Sequence, residues 1–396
     1  MPLCGWKRPF SGKSSAMKPV TLVNEMSKKY PFKNIAFQGG GTKTYAYHGA
    51  LMALEEHGVL NQIERVAGTS AGAMLAAVIS FRLDMAESMA IYAGLDFSKI
   101  PGTAVTRNDE SLSAVRRLVE PGWNKVLGNV DAINRLIRKF GWHDNHYASE
   151  WIEEVIADHC DGNGRATFAE FRNRGFRDLH VIATNITTHE MVVFCADKTP
   201  DVAVADALLM SQTIPLYFEA LQFNGREFGS GDYYADGGIV NNYPIHIFDD
   251  PRFATGNRLF IHGTNWETLG LRLYTPEECP DRRPPINNII SYIGHMFEAL
   301  FDAQEVAFYN NRIDQPRTIN ISNCCVSTLD LSVRPIPGNA KYDELFTTGY
   351  EMTEAYLENY QRPWLSVETG LLREIRQTLR RFAIWRRFRS GKTTKA

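Results

Sequence analysis

Between Asn34 and Ile79 the chain twice repeats one pattern: a short apolar run, a glycine turn, then apolar residues at helical spacing. Asn34 to Phe37 predicts a strand, QGGGTK a turn, and Tyr45 to His57 a helix that stops at Gly58. Arg65 to Ala67 predicts a second strand, GTSAG a second turn, and AMLAAVISF a helix of small apolar residues. Two such units in succession predict a parallel α/β sheet. Residues 96–175 carry a mainly helical pattern and read as an insertion or cap. LHVIATNI and MVVF predict strands around a turn, and residues 201–212 a helix ended before Pro215. RLFIHGTN predicts a returning strand, and residues 286–311 and 341–360 predict long helices. No internal repeat is present. The basic, polar, proline-interrupted residues 1–32 read as an extension, partly ordered at best.

Length and composition narrow this picture. With 396 residues, 44% of them apolar, the chain has material for one large domain or two ordinary ones around a substantial core. A net charge of −2 argues against a whole-chain nucleic-acid binder. No run approaches the ~18 apolar residues of a membrane span. MPLCGWKRPFSGKSSAMKP has no apolar core of the secretory kind. Cys4, Cys160, Cys195, Cys279, Cys324 and Cys325 have neither zinc-type spacing nor a dense disulfide pattern, so free thiols in a reducing compartment are expected.

The second turn carries candidate chemistry. Gly68-Thr69-Ser70-Ala71-Gly72 fits G-x-S-x-G, in which a serine on a tight strand-to-helix turn presents its hydroxyl outward. Side chains two residues either side of the serine would meet neighbouring backbone, which favours Gly68 and Gly72. The first turn is less suited to nucleotides. A Walker loop needs glycine directly before lysine, and here Thr42 intervenes before Lys43. A dinucleotide fingerprint needs a last glycine where Thr44 stands. In a parallel sheet both turns lie at C-terminal strand ends, so bare amides at Gly39, Gly40 and Gly41 can face Ser70 and hold an oxyanion. Such a donor is typically worth about 2.7–4 kcal/mol of barrier. Lys43 adds a positive charge for an oxyanion or a phosphate head group.

The serine needs a base. In a Ser…Asp…His order, His246, His262 and His295 all follow the best aspartate, and His262 at a predicted strand end is the strongest of them. Asp236, in YYADGGIVNNYP, is that aspartate, and Gly237 and Gly238 let another segment approach it closely. It could also take the proton itself if burial raises its pKa from the ordinary value of about 3.9.

QGGGTK, GTSAG, MSQTIPLYFEAL and ADGGIVNNYP together resemble, in order and spacing, the patatin-like phospholipases, over roughly residues 33–265. The resemblance implies a three-layer α/β fold with a mainly parallel sheet, followed by a mainly helical region over 266–396. It implies a lipid acyl hydrolase of phospholipase A type without metal or organic cofactor. Ser70 would be the nucleophile, Asp236 its base, and Gly39, Gly40 and Gly41 the oxyanion hole, with no catalytic histidine. Lys43 matches the basic position after the glycines. Gln38 and Thr44 depart from the usual aspartate and glycine, which bears on loop geometry more than on chemistry. Other substrates in view are a neutral glyceride or a lysophospholipid, and a catalytically silent lipid-binding or scaffold protein is the rival of another class. Some relatives await a protein or ligand activator, a role open to residues 266–396. The expected setting is cytoplasmic and peripheral to a membrane, with delivery to another cell left open.

Two further segments invite ligands. HCDGNGRATFAE places Asp161, Asn163, Gly164 and Glu170 at calcium-loop positions, but His159 stands at the first, where a hard cation wants aspartate. A polar glycine turn before a helix explains the segment, and no metal is expected. In the tail, Leu372, Ile375, Leu379, Phe382 and Trp385 form one apolar helical stripe, and Arg373–Ala396 holds nine basic residues against one acid. Such a helix suits an anionic membrane surface. Deleting residues 370–396 is therefore expected to weaken co-sedimentation with anionic vesicles; unchanged binding would rule out this tail as the anchor.

Overall fold

The structure is a computed structural model and describes residues 30–95, 99, 130–256, 259–279, 285–287, 289–330 and 332–362. The basic tail over 370–396, residues 1–29 of the expected extension and most of 96–129 lie outside the described residues. Along the chain run β1 (Asn34–Phe37), α1 (Ala46–Glu56), β2 (Arg65–Thr69), α2 (Ala71–Ser80), α3 (Met85–Ala93), α4 (Val130–Lys139), β3 (Gly141–His143), α5 (His146–His159), α6 (Phe168–Asn173), β4 (Asp178–Asn185) and β5 (Glu190–Phe194). There follow α7 (Val204–Ser211), β6 (Leu216–Phe218), β7 (Leu221–Phe223), β8 (Asp232–Asp236), β9 (Phe260–Ile261), β10 (Thr264–Asn265), β11 (Thr268–Tyr274), α8 (Ile289–Asn310), β12 (Thr318–Ser322) and α9 (Ala340–Glu358).

An eight-stranded sheet of order β12-β11-β1-β2-β4-β8-β7, with β5 also on β4, forms the centre. Its first five strands are parallel, and β5, β8 and β7 join antiparallel. The expected mainly parallel α/β fold is therefore the one adopted, with α8 and α9 in the C-terminal region. The sheet itself runs past residue 265, since β11 and β12 extend it. Alternation along the strands divides the core. Ile35 and Phe37 join the large helix-covered cluster, whereas Ala36 and Ala67 face Ile245, Phe248 and Phe253. Tyr30 and Phe32, at the end of the expected extension, are buried, and their rings pack on Tyr360.

Three local outcomes differ from the sequence pattern or refine it. RLFIHGTN is not a strand of the sheet: His262 and Gly263 take positive φ (53° and 79°) and fold it into the short β9–β10 hairpin. The strand is the next segment, TLGLRLY, whose pattern is masked by Arg272. That guanidinium is 1% exposed, lies 2.9 Å from Glu305 and stacks 4.3 Å from the Phe308 ring, so charge and π-face offset its burial. Two cysteines are not free thiols: Cys279 and Cys325 are disulfide-bonded, 46 residues apart, while Cys160, Cys195 and Cys324 are free. Their spacing carries no signal because the pairing depends on where β11 and the segment after β12 meet. The calcium-like loop uses its ligands internally. Glu170 and Thr167 form a capping box on α6, and Asp161 pairs with Arg174 at 2.6 Å.

Helices α1 and α9 cross at two glycines. A Cβ on Gly49 would lie 1.8 Å from the Phe346 carbonyl oxygen, and one on Gly349 1.8 Å from that of Ala46. Backbone cannot yield as a flexible side chain does, so Gly349→Ala is expected to cost about 1–3 kcal/mol despite alanine's better helix propensity. Denaturant unfolding measures this, and an unchanged or raised midpoint would mean that the helices separate at little cost.

Candidate active site

The G-x-S-x-G turn joins β2 to α2. Ser70 caps α2 at φ 54° and ψ −130°, a left-handed backbone that a non-glycine residue holds only under constraint. The constraint is close packing. A Cβ on Gly68 would lie 2.2 Å from the Gly72 oxygen, and one on Gly72 2.6 Å from the Gln38 oxygen. The Ser70 amide donates to Ser211 Oγ at 2.9 Å, and Ser211 Oγ donates to the Ile182 carbonyl at 2.6 Å. Ser211 lies in the MSQTIP stretch on α7, and composition and spacing gave no sign of this duty.

Register brings Asp236 to the same place. On one edge of β4, β2 pairs through Thr69↔Ile182, and the antiparallel β8 takes over at Ala183↔Asp236. Along the opposite edge β5 pairs with both Ile182 and Ala183. The C-terminal ends of β2 and β8 therefore meet, and Gly237 leaves through the gap: a Cβ there would lie 2.4 Å from the Ile182 oxygen. Asp236 is 1% exposed. Its Oδ1 accepts from the Gly238 amide at 2.7 Å, and its Oδ2 is buried without a hydrogen bond of good geometry. Burial pushes the carboxyl up to about 6, against the opposing pull of the Ser70 hydroxyl and then the Gly238 amide.

The glycine loop lies beside the serine. A Cβ on Gly39 would come within 3.1 Å of Ser70 Cβ. The Gly39 amide is already bonded to the Asn242 carbonyl at 3.0 Å, whereas the Gly40 and Gly41 amides have no acceptor among the described residues. Gly41 is at φ 56° and backs onto Thr328, whose carbonyl accepts from the Thr42 amide. Gln38 does not bond the loop; its Oε1 accepts from the Leu273 amide at 2.7 Å. Thr44 donates to the Gly41 carbonyl at 2.7 Å and closes the first helical turn. Lys43 is nearly buried and ion-paired to Glu298 at 2.8 Å, so its charge is met locally. Burial alone would raise Glu298, but Lys43 and Thr328 hold it below the ordinary range.

A cavity of about 1010 Å³ opens over these groups. Ser70, Asp236, Gly40 and Gly41 line it, and Ile293, Phe297, Phe301 and Leu329 supply apolar wall. The Cys279–Cys325 bridge also borders it. The three candidate histidines do not complete a triad with Ser70 and Asp236. His262 is exposed on the β9–β10 turn. His246 bonds Asp249 and Asp314, which raise it to about 9. His295 lines the cavity, with Nδ1 at 2.7 Å from the Ser291 carbonyl. None is hydrogen-bonded to Ser70 or Asp236 among the described residues. The partners that sequence reasoning missed here, Glu298 and Gln304, act across 255 and 62–66 residues, beyond any local pattern.

This is an α/β protein with a serine elbow and a buried carboxyl at the C-terminal ends of its strands. Residues 35–249 match the profile of the patatin-like phospholipases, more than half of the chain. The chain belongs to that family, which places it among lipid acyl hydrolases. It is 28% identical over 285 residues to the uncharacterized protein YqhO of Bacillus subtilis, covering 70% of this chain and 84% of that protein. To the probable lipid hydrolase 463L of Invertebrate iridescent virus 6 it is 35% identical over 81 residues, 20% of this chain and 26% of that one. Among solved structures, VipD from Legionella pneumophila aligns with a TM-score of 0.49 at 19% identity, over 83% of this chain and 67% of that chain. ExoU in its complex with SpcU, from the type III secretion system of Pseudomonas aeruginosa, aligns with a TM-score of 0.41 at 20% identity, over 84% and 52%. Among the described residues no helix is long and apolar enough to cross a membrane.

The raised Asp236 carboxyl has a consequence for stability. Its folded pKa of about 6 exceeds the ordinary 3.8, so the fold favours the protonated form. That contribution is complete below about 3.8 and is lost as pH rises through about 6. At ~1.4 kcal/mol per unit the loss is on the order of 3 kcal/mol. Asp236→Asn is therefore expected to gain stability relative to the native protein between pH 4 and pH 7.5. Thermal unfolding across that range tests it, and parallel pH curves would mean that the carboxyl is not destabilised when ionised.

Proposed function

We propose that the protein hydrolyses fatty-acyl esters of glycerophospholipids, as a phospholipase A, with Ser70 as nucleophile and Asp236 as general base. The observation that carries this reading is the meeting of β2 and β8 on β4, which sets an outward serine beside a buried carboxyl, both on the lining of a large cavity. Ser70 Oγ attacks the ester carbonyl carbon while Asp236 accepts its proton. Negative charge develops on the carbonyl oxygen, and the Gly40 and Gly41 amides, which are not committed to other acceptors, donate to it. The tetrahedral intermediate collapses, the proton passes from Asp236 to the leaving alcohol, and the acyl group remains on Ser70. A water deprotonated by Asp236 attacks the acyl-enzyme, and Asp236 returns the proton to Ser70 Oγ as the fatty acid leaves. A carboxyl raised to about 6 is a better base near neutrality than an ordinary aspartate, and is still mostly ionised there. The apolar wall of Ile293, Phe297, Phe301 and Leu329 suits an acyl chain.

Incubation with mixed phospholipid vesicles, followed by mass spectrometry, is expected to give free fatty acid and lysophospholipid from the native protein. Ser70→Ala and Asp236→Asn should each lower the rate by about 10³-fold or more. The native kcat/KM should fall on the acid side with a midpoint near 6. Equal product from native protein and Ser70→Ala would overturn the serine mechanism. Release of fatty acid from neutral glycerides alone would transfer the same chemistry to another lipid class.

A further inference from the structure

Helix α8 lies wholly beyond the residues matched by the family profile, yet one of its side chains reaches both halves of the site. Gln304 Nε2 donates to the Gly238 carbonyl at 2.8 Å, in the turn that follows Asp236. Its Oε1 accepts from the Asn242 amide at 2.8 Å. Asn242 in turn holds the glycine loop, accepting from the Gly39 amide at 3.0 Å and donating from Nδ2 to the Gly39 carbonyl at 3.3 Å. The same helix steadies the other flank of that loop through Glu298, which pairs with Lys43 and bonds Thr328. Packing adds to this: the ring of Phe301 sits where a Cβ on Gly238 would be 2.7 Å away.

Two adjacent glycines after Asp236 have many backbone conformations open to them, so the turn needs an external restraint to hold one. A primary amide suits the task, because it donates and accepts at once, whereas an ionised carboxylate only accepts. We propose that Gln304 is a positioning residue: it fixes the Asp236 turn and, through Asn242, the glycine loop in register with Ser70, so that α8 is an integral part of the active site. This rests on the serine–aspartate reading above. The link to the carboxyl is direct, since the Gly238 amide that bonds Asp236 Oδ1 belongs to the residue whose carbonyl Gln304 holds.

The test compares the full chain with Gln304→Leu, Gln304→Glu and Phe308→Ala. The last removes a buried ring from the same helix that packs on Arg272 and Tyr243 and has no hydrogen-bonding group to offer the Asp236 turn or the glycine loop. The readout is the rate at which a fluorophosphonate labels Ser70, followed from pH 4.5 to 9, with melting measured on each variant. Gln304→Leu is expected to label roughly tenfold to a hundredfold more slowly. Its acid-side midpoint should rise by about half a unit or more, because a loosened Gly238 amide stabilises the carboxylate less. Gln304→Glu at pH 8 should be at least as slow, since it cannot donate to Gly238. Phe308→Ala should keep the native rate and midpoint per folded molecule whatever it loses in melting temperature. A Gln304→Leu profile scaled down with its midpoint unmoved, or an equal slowing in Phe308→Ala, overturns the proposal in favour of general helix seating. A native protein that takes no label at any pH removes the serine–aspartate reading, and this proposal with it.

Discussion

The arrangement depends on how the edge of β4 is shared. Two strands of opposite direction occupy one edge in succession, β2 up to Ile182 and β8 from Ala183. Their ends cannot interpenetrate, so the chain must turn sharply away at both. One turn becomes the Ser70 elbow and the other the Asp-Gly-Gly turn. The glycines around them are consequences of this crowding. Gly68, Gly72 and Gly237 each lie where a Cβ would overlap a backbone oxygen. A one-residue slip of β8 against β4 would reverse the direction of Asp236 and move it away from Ser70.

Crowding also sets the electrostatics. Close packing at the strand ends leaves Asp236 only 1% exposed, and this desolvation raises its carboxyl. Other buried charges in the protein are handled differently. Arg317, 1% exposed, is bound by Asp249 and Asp314 at 2.7 Å each, and His246 bridges the same two carboxylates. Those groups are fully paired, and they tie β12 to the segment that covers the back of the sheet. Among the described residues no cation is paired with Asp236. A charge left partly uncompensated is costly to a fold and useful to a base, which fits the proposed role better than a structural one.

The region beyond β10 completes the site. β11 gives the glycine loop a neighbour, α8 supplies cavity wall, the Glu298 partner of Lys43 and the Gln304 bond to Gly238, and the segment after β12 sets Thr328 against Gly41. The Cys279–Cys325 bridge closes a 46-residue span around that wall. A cut at residue 265 would therefore remove partners of both loops of the candidate site, even though the family profile ends at residue 249.

The strand–turn–helix rhythm, the serine elbow, the glycine loop and the Asp-Gly-Gly turn were legible in the chain, because each is a local demand of backbone geometry on adjacent residues. The apolar pattern likewise located α1 and α2, which are buried almost all round, and α8 and α9, whose buried positions recur every three or four residues. What could not be read were relations between distant segments. RLFIHGTN has strand-forming residues but turns at His262, and TLGLRLY hides its strand behind an arginine that only Glu305 and Phe308 make tolerable. The disulfide, the pairing of Lys43 with Glu298, the engagement of the Gly39 amide and the clamp of Gln304 all arise from contacts across tens to hundreds of residues. The sequence by itself determined which residues have the chemistry to react and which turns expose them. Tertiary packing decided which amides stay free, which charges are met and how high the pKa of Asp236 rises, because burial and hydrogen bonding belong to neighbours in space and not along the chain.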